Sequence, residues 1–143
     1  MGRVVAVSVS EKKGMRKKNV EKAYCKRDYG IDGDAHASSD WHRQVSLLAV
    51  ESIEKMRDAG LDVGPGDFAE NVTTEGVDLV SLPLGTRLRV GEAEGEVSQI
   101  GKKCHSHCAI YELAGDCIMP KEGIFIKVSR SGWIRPGDEV VLL

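Results

Sequence analysis

The stretch LGTRLRVGEAEGEVSQI, residues 84–100, decides the fold class of this chain. Apolar and polar side chains alternate over residues 86–90, which places Arg87 and Arg89 on one face of an extended strand. The glycine-bearing residues 91–95 follow, and a second extended stretch completes the quoted sequence. The sequence therefore predicts a β-hairpin with both arginines on its outer face.

Short strands of the same kind are predicted along the rest of the chain. Glycine makes up 16 of the 143 residues, a high share that indicates many tight turns and short strands. One helix is predicted over residues 49–59. Apolar side chains recur there at helical spacing, starting from Leu47, and Gly60 follows in the position of a left-handed C-terminal cap. We predict further strands at residues 4–9, 20–26, 69–74, 124–129 and 139–143.

These elements predict a mainly β fold with one principal helix. About seven short strands separated by turns favour a small closed or near-closed β-barrel, because closure removes exposed strand edges. The alternation of strands and helices that is typical of a doubly wound sheet is absent from the sequence. The length fits one domain, so we expect residues 1–143 to form a single unit.

Composition and charge argue against several classes of function. The net charge of −2 gives no global basic field, and the basic cluster at residues 12–18 has no aromatic interleaving, so we interpret it as a solvated loop and expect no nucleic-acid partner. No apolar run approaches the roughly 18 residues of a membrane helix, and the N-terminus does not resemble a signal peptide. We therefore expect a cytoplasmic protein with no membrane partner, in which the four cysteines are thiols, metal ligands or catalysts.

The chemically densest stretch is IGKKCHSHC, residues 100–108. Positive charge from Lys102, Lys103 and His105 favours the thiolate of Cys104, and the thiolate is the form that attacks, carries sulfur or binds a soft metal. We predict Cys104 as the catalytic residue, assisted by Lys103 and His105.

Two simpler interpretations remain for the cysteines. The first is a structural zinc site made by Cys104, Cys108 and one of the histidines at 105 and 107, completed by His36 or His42. The spacing is poor and a second cysteine pair is lacking, so we expect no zinc. The second is an inert buried thiol, which we predict for Cys25 and Cys117.

Two polar loops contain further candidates. His36 ends the sequence Gly33-Asp34-Ala35-His36 and is a candidate for orienting a ligand or for acid-base work near neutral pH, although a histidine bonded to loop carbonyls is an equal alternative. Asp34 and Asp67 follow glycine in tight turns, and we interpret both as turn-stabilising side chains.

The chain resembles the MOSC family through an ordered set of motifs. No single motif is specific, but together they cover nearly the whole chain in the family's order. The motifs are Gly33-Asp34-Ala35-His36, RQVSLL at 43–48, PGDFAENVTTEG at 65–76, LPLGT at 82–86, IGKKCH at 100–105, PKEGIF at 120–125 and GWIRPGD at 132–138.

This resemblance implies a barrel like that of the C-terminal domain of molybdenum-cofactor sulfurases, with the family's cysteine at Cys104. In that family the cysteine is thought to carry sulfur or to ligate molybdenum. The chain lacks the aminotransferase-like domain of full-length sulfurases, so pyridoxal phosphate is not expected and a separate cysteine desulfurase is the possible sulfur donor. The molybdenum cofactor or its carrier enzymes are the expected partners.

The parts of the molybdenum cofactor suggest which residues hold it. A pterin dithiolene presents a phosphate, a flat polar ring and a soft metal that suits sulfur ligands. Arg43 with Lys102 or Lys103 is suited to the phosphate, Asn71 to a ring edge, and Cys104 to the metal. For Arg43 a surface or strand-pairing charge is an equal alternative.

Two functions follow from this assignment. The first is a sulfur carrier or sulfurtransferase that uses a persulfide on Cys104. The second is a non-catalytic module that binds or delivers the cofactor. Either function requires Arg43, Asn71 and Cys104 to converge on one cleft, together with one of the two lysines.

Overall fold

A computed structural model describes residues 2–12, 16–101 and 122–143. In this part of the chain the helix α1 spans Val50–Asp58, and a short 3-10 turn spans Leu79–Ser81. The strands are β1 (Gly2–Val9), β2 (Lys18–Val20), β3 (Ala23–Lys26), β4 (Gly30–Ile31), β5 (Val45–Ala49), β6 (Val72–Glu75), β7 (Arg87–Val90), β8 (Ala93–Ile100), β9 (Ile124–Arg130), β10 (Gly132–Ile134) and β11 (Glu139–Leu142).

Seven of these strands close into a barrel, in the order β11-β7-β8-β9-β5-β6-β1. The ring closes because β1 pairs with β11 through Gly2 opposite Val140 and Arg3 opposite Glu139. All neighbours in the ring are antiparallel except β5 and β6, which are parallel. The predicted mainly β barrel with one principal helix is confirmed for the described residues.

The predicted hairpin forms between β7 and β8. Val90 lies opposite Ala93, so the turn contains only Gly91 and Glu92 and is shorter than the predicted residues 91–95. Gly91 has a φ of +60°, and a Cβ there would meet a carboxylate oxygen of Asp138. Glycine is therefore required at this first turn position, as in the two-residue turns that match strand twist.

The predicted helix at residues 49–59 is confirmed, with α1 at Val50–Asp58. Leu47, which the helical spacing included, instead lies in β5. Both faces of β5 are buried, because Val45 and Leu47 belong to the cluster inside the barrel and Leu48 to the cluster that packs α1. A strand that is covered on both faces lacks the alternation of a half-exposed strand, so periodicity cannot separate it from the start of a helix.

The predicted strand at residues 20–26 is two strands in two sheets. β2 pairs with β1 at the edge of the barrel sheet, whereas β3 is the central strand of a small sheet with the order β10-β3-β4. The small sheet buries Cys25, as predicted, and burial raises the pKa of its thiol to about 12. Cys25 is therefore a neutral, unreactive thiol at physiological pH.

Two apolar clusters stabilise the fold. The larger one fills the barrel and includes Val7, Leu47, Leu88 and Ile126. The smaller one packs α1 onto the outside of the barrel, where Ile53 contacts a cluster completed by Leu48, Val63, Phe68, Ala69 and Phe125. Within the described ranges, no helix is long and apolar enough to cross a membrane.

Glu70 is a fully buried carboxyl group between the turn at residues 66–69 and β6. Burial raises its pKa to about 7, although the Phe68 N–H and the Thr73 hydroxyl donate hydrogen bonds to it at 3.2 and 2.9 Å. The unfolded pKa is about 4.3, so the folded state binds more protons between the two values. The free energy of unfolding must therefore fall as the pH rises from about 4 to about 7.

Glu70→Gln is expected to remove this loss of stability, because a neutral amide keeps an acceptor for Phe68 and bonds Thr73 without an ionisation cost. Urea unfolding above about pH 7.5 should show the variant more stable than the parent by up to about 3 kcal/mol, the free-energy equivalent of the shift. The gap should close as the pH falls towards about 4. Parallel stability curves over this range would contradict the assignment.

Candidate functional site

The loop at residues 32–44, between β4 and β5, contains most of the polar side chains that are candidates for function. Its first half carries Asp34 and His36, which cluster with Lys17 from the segment before β2. Its second half lies against the end of β8 and carries Trp41, His42 and Arg43. The two halves are joined by a hydrogen bond from the Trp41 ring N–H to the His36 carbonyl at 3.1 Å.

Lys17 is the buried cation of this region. Its ammonium is inaccessible to solvent and donates to Asp34 Oδ1 at 2.7 Å and to Ser10 Oγ at 3.0 Å. The prediction that residues 12–18 form a solvated loop is therefore wrong for Lys17. Successive side chains of an extended segment point to opposite faces, so Lys17 points inward while its neighbour Lys18 is exposed. The Lys17 backbone N–H donates to the Gly66 carbonyl at 2.8 Å.

Asp34 is the buried anion that matches Lys17. Its oxygens also accept the backbone N–H groups of Ser10 and His36, both at 3.0 Å, which confirms the predicted turn-stabilising role. Burial alone raises the pKa of Asp34, but its hydrogen bonds to His36 and Lys17 and the Lys17 charge outweigh burial and hold the pKa well below its usual range. Asp34 is therefore a fixed negative charge.

His36 lies against this ion pair. Its Nδ1 is 3.0 Å from the Lys17 ammonium and 3.7 Å from Asp34 Oδ2. Nδ1 therefore faces both members of the ion pair. The His36 ring is also parallel to the Trp41 ring within 4°, with 6.5 Å between the ring centres. His36 is thus held by the ion pair and by Trp41.

Arg43 lies between two aromatic rings. Its guanidinium carbon is 4.9 Å from the centre of the Trp41 ring and 5.8 Å from that of Phe125. Its Nε is buried, and within the described ranges it has no hydrogen-bond partner. A guanidinium that is held by rings and retains an unused donor is suited to an anion, because arginine binds carboxylate and phosphate through paired N–H groups.

A second polar link joins this loop to the end of β8. The His42 Nε2 is 2.7 Å from Gln99 Oε1, and the Gln99 amide N–H donates to the Gly101 carbonyl at 2.7 Å. The Ser98 hydroxyl donates to the His42 carbonyl. One side chain, Gln99, therefore connects the residue beside Arg43 to Gly101.

Asn71 lies in the core and is tied to three chain segments. Its Oδ1 accepts from the backbone N–H and the hydroxyl of Ser46, at 3.0 and 3.2 Å, and its amide donates to the Ser8 carbonyl at 3.1 Å. The side chain is fully buried. These bonds hold β1, β5 and the start of β6 together, and a role for Asn71 at a ligand ring stays a prediction.

The predicted reactive residues are outside the described residues. Lys102, Lys103, Cys104 and His105 belong to residues 102–121, as do Cys108 and Cys117, so their predicted roles stay predictions. Within residues 2–12, 16–101 and 122–143, no three His, Cys, Asp or Glu side chains are grouped to hold a metal ion. Of the predicted site residues, the structure brings together Arg43 and His36, which both lie next to Trp41. The zinc alternative is untested, because its cysteines lie outside the described residues.

Sequence reasoning missed three residues of this site. Lys17 stands among other basic residues, and nothing local distinguishes it. Gln99 ends a strand whose partner loop is far away in sequence. Trp41 carried a usable signal, because it is one of only two tryptophans and directly precedes His42 and Arg43.

Comparisons with known proteins agree with this architecture. A family model described as the MOSC domain matches residues 32–141. The fold is similar to that of the YuaD protein from Bacillus subtilis, with a TM-score of 0.73 and 22% identity over 98% of this chain and 94% of that one. It is also similar to YiiM from Geobacillus stearothermophilus, with a TM-score of 0.76 and 21% identity over 100% of this chain and 75% of that one.

A further similar structure is YiiM from Escherichia coli, with a TM-score of 0.68 and 21% identity over 99% of this chain and 69% of that one. At these identities the solved structures show the fold alone. No curated protein matches the chain.

Proposed function

This chain belongs to the MOSC domain family, which is associated with molybdenum-cofactor-related proteins, and from that membership we propose that it carries sulfur on Cys104 for molybdenum-cofactor chemistry. In this proposal Cys104 holds the sulfur as a persulfide, and Lys103 and His105 favour its thiolate. Arg43, together with Lys102 or Lys103, binds the anionic end of the cofactor, and His36 helps to orient it.

The observation that carries the proposal is the link from Arg43 to Gly101. His42 and Gln99 connect the arginine loop to the Gly101 carbonyl by two hydrogen bonds of 2.7 Å. Cys104 follows Gly101 by three residues, so its Cα lies within about 11 Å of the Gly101 Cα in any conformation of the chain. This limit on distance supports the proposal that Arg43 and Cys104 act at the same end of β8.

The described residues fit part of the molybdenum cofactor. The Arg43 guanidinium, which is held by the Trp41 and Phe125 rings, suits the cofactor's phosphate, and the Trp41 ring beside it suits a flat polar ring. A soft metal requires a sulfur ligand, and Cys104 is the proposed one. When bound, the cofactor would supply the metal centre that accepts the sulfur.

The proposed loading step conserves oxidation state. The Cys104 thiolate attacks the outer sulfur of a persulfide on a cysteine desulfurase. A new S–S bond forms on Cys104, the S–S bond of the donor breaks, and the donor cysteine leaves as a thiolate. No external oxidant is needed, and a low thiol pKa at Cys104 speeds the attack at neutral pH. Pyridoxal phosphate acts only in the donor enzyme.

The experiment that tests the function is incubation with a cysteine desulfurase and cysteine, followed by intact-protein mass spectrometry. The proposal requires a mass gain of one sulfur atom, removable by a thiol reductant. A protein that binds the molybdenum cofactor but never gains sulfur would instead be a cofactor-binding or delivery module. A protein that does neither and loses its fold to chelators would be a zinc-stabilised domain.

A further inference from the structure

Besides the links from Ser98 and Gln99 to His42, a buried amide holds the loop that carries Trp41 and Arg43 to the barrel. We propose that Gln44 is the positioning residue of the Arg43 anion site, holding the backbone of residues 38–41 against β9 and thereby fixing the Trp41 ring under the guanidinium. The proposal rests on the proposed function, since the anion site is the one assigned there. Gln44 itself touches neither sulfur nor anion in this account.

The Gln44 amide lies within hydrogen-bonding distance of four polar groups, and its two N–H donors are shared among three acceptors. Its Oε1 accepts the backbone N–H of Val128, on β9, at 2.9 Å. Its Nε2 donates to the carbonyls of Ser38 and Trp41, both at 3.3 Å, and to Asp28 Oδ1 at 3.2 Å. The side chain is fully buried, so water cannot substitute for these bonds without rearrangement.

The Gln44 side chain makes a hydrogen bond to β9 just before the first residue of β5. β5 begins only at Val45, so Val128 on the neighbouring strand receives a side-chain oxygen where a sheet would supply a carbonyl. The carbonyls of Ser38 and Trp41 belong to a loop and have this amide as a donor. The Gln44 side chain thus continues the contact with β9 beyond the end of β5, and it attaches the loop to β9.

The attachment reaches the guanidinium through Trp41. The Trp41 carbonyl accepts a hydrogen bond from the Gln44 amide. The centre of the Trp41 ring lies 4.9 Å from the Arg43 guanidinium carbon, and the ring N–H donates to the His36 carbonyl. A shift of this one residue therefore changes both the aromatic support of Arg43 and the contact with His36. A space-filling residue without the amide cannot hold both carbonyls.

The test uses Trp41 as its own reporter. A Trp133→Phe background leaves Trp41 as the single tryptophan. In that background Gln44→Met, which keeps the volume and loses the bonds, should raise the acrylamide quenching constant of Trp41 about threefold, as the loop opens locally. The matched control is Thr73→Val, which removes a different buried hydrogen bond, from the hydroxyl of Thr73 on β6 to Glu70. The control should leave the quenching constant unchanged even where it lowers the unfolding temperature.

A second variant keeps the test decisive if Gln44→Met does not fold. Gln44→Glu retains the oxygen that bonds Val128, but its second carboxylate oxygen would face the Asp28 carboxylate and the two loop carbonyls. The Lys127 ammonium, 3.5 Å from Asp28 Oδ1, is the cation nearby. Repulsion should expose Trp41 at about pH 8, and protonation of the new acid should restore protection near pH 5. Unchanged quenching in both Gln44 variants, relative to the parent at the same pH, would overturn the proposal.

Phosphate binding separates this proposal from the proposed function. Titration with inorganic phosphate should show Gln44→Met weakened about tenfold, equivalent to about 1.4 kcal/mol. If Arg43→Ala leaves phosphate affinity unchanged, the anion site of the proposed function fails, whatever Trp41 does. If Arg43→Ala weakens phosphate binding and Gln44→Met leaves both phosphate affinity and quenching unchanged, Gln44 fails alone.

Discussion

Cys104→Ser should abolish sulfur loading while leaving the free energy of unfolding nearly unchanged. A serine hydroxyl cannot form a stable persulfide, so transfer of labelled sulfur from cysteine through a desulfurase should fall to background. The buried Cys25, with its pKa raised to about 12, cannot replace it. Labelled sulfur retained on the protein, counted after gel filtration, measures the result.

Cys108→Ser is the matched control, because it removes a thiol four residues away and keeps Cys104. Loading at the parental level is expected for this variant. Full loading of Cys104→Ser would remove Cys104 from the mechanism. A Cys104→Ser protein that does not fold would indicate the structural role of the zinc alternative.

Lys17→Met should cost about 3–5 kcal/mol of stability at neutral pH, the range expected when one partner of a buried ion pair is removed. The methionine fills the space of the lysine stem but leaves the Asp34 carboxylate, now without its 2.7 Å partner, in a buried site. Urea unfolding measures the loss. Lys17→Met combined with Asp34→Asn should cost less than the two single changes together, because no unpaired charge remains.

The pH dependence of this loss has a defined sign. The folded pKa of Asp34 is lowered, so its stabilisation is present above its unfolded pKa of about 3.9 and disappears as the pH falls below that value. The gap between the parent and Lys17→Met should therefore narrow in acid. The control is Lys18→Met at the exposed neighbour, expected within about 0.5 kcal/mol of the parent. An equal, small loss in both variants would contradict the buried pair.

The barrel was predictable where the pattern is local. The β7–β8 hairpin shows in the alternation around Arg87 and Arg89, and α1 shows in its apolar spacing. β5 was missed because both of its faces are buried, which leaves no clear alternation to identify it. β10 and β4 were missed because three and two residues are too few to carry a period, and both depend on pairing with β3.

The site was predictable only where residue type restricts function. Arg43 and His36 were identified by their motifs, and the structure places both next to the Trp41 ring. Lys17 and Gln44 were not identified, because their roles come from burial against segments that are distant in sequence. For Asn71 the residue type suggested a ligand contact, but its side-chain amide is hydrogen-bonded to the backbone of Ser46 and Ser8 in the core.

The rate at which Cys104 is alkylated, with and without phosphate, tests most directly whether the thiol and Arg43 belong to one site. The four cysteines are labelled with iodoacetamide in the native protein and quantified by peptide mass spectrometry. We predict that Cys104 reacts faster than Cys25 and Cys117, that phosphate slows its reaction, and that Arg43→Ala removes this protection. Equal rates at all four thiols, or a Cys104 rate that does not respond to phosphate, would contradict it.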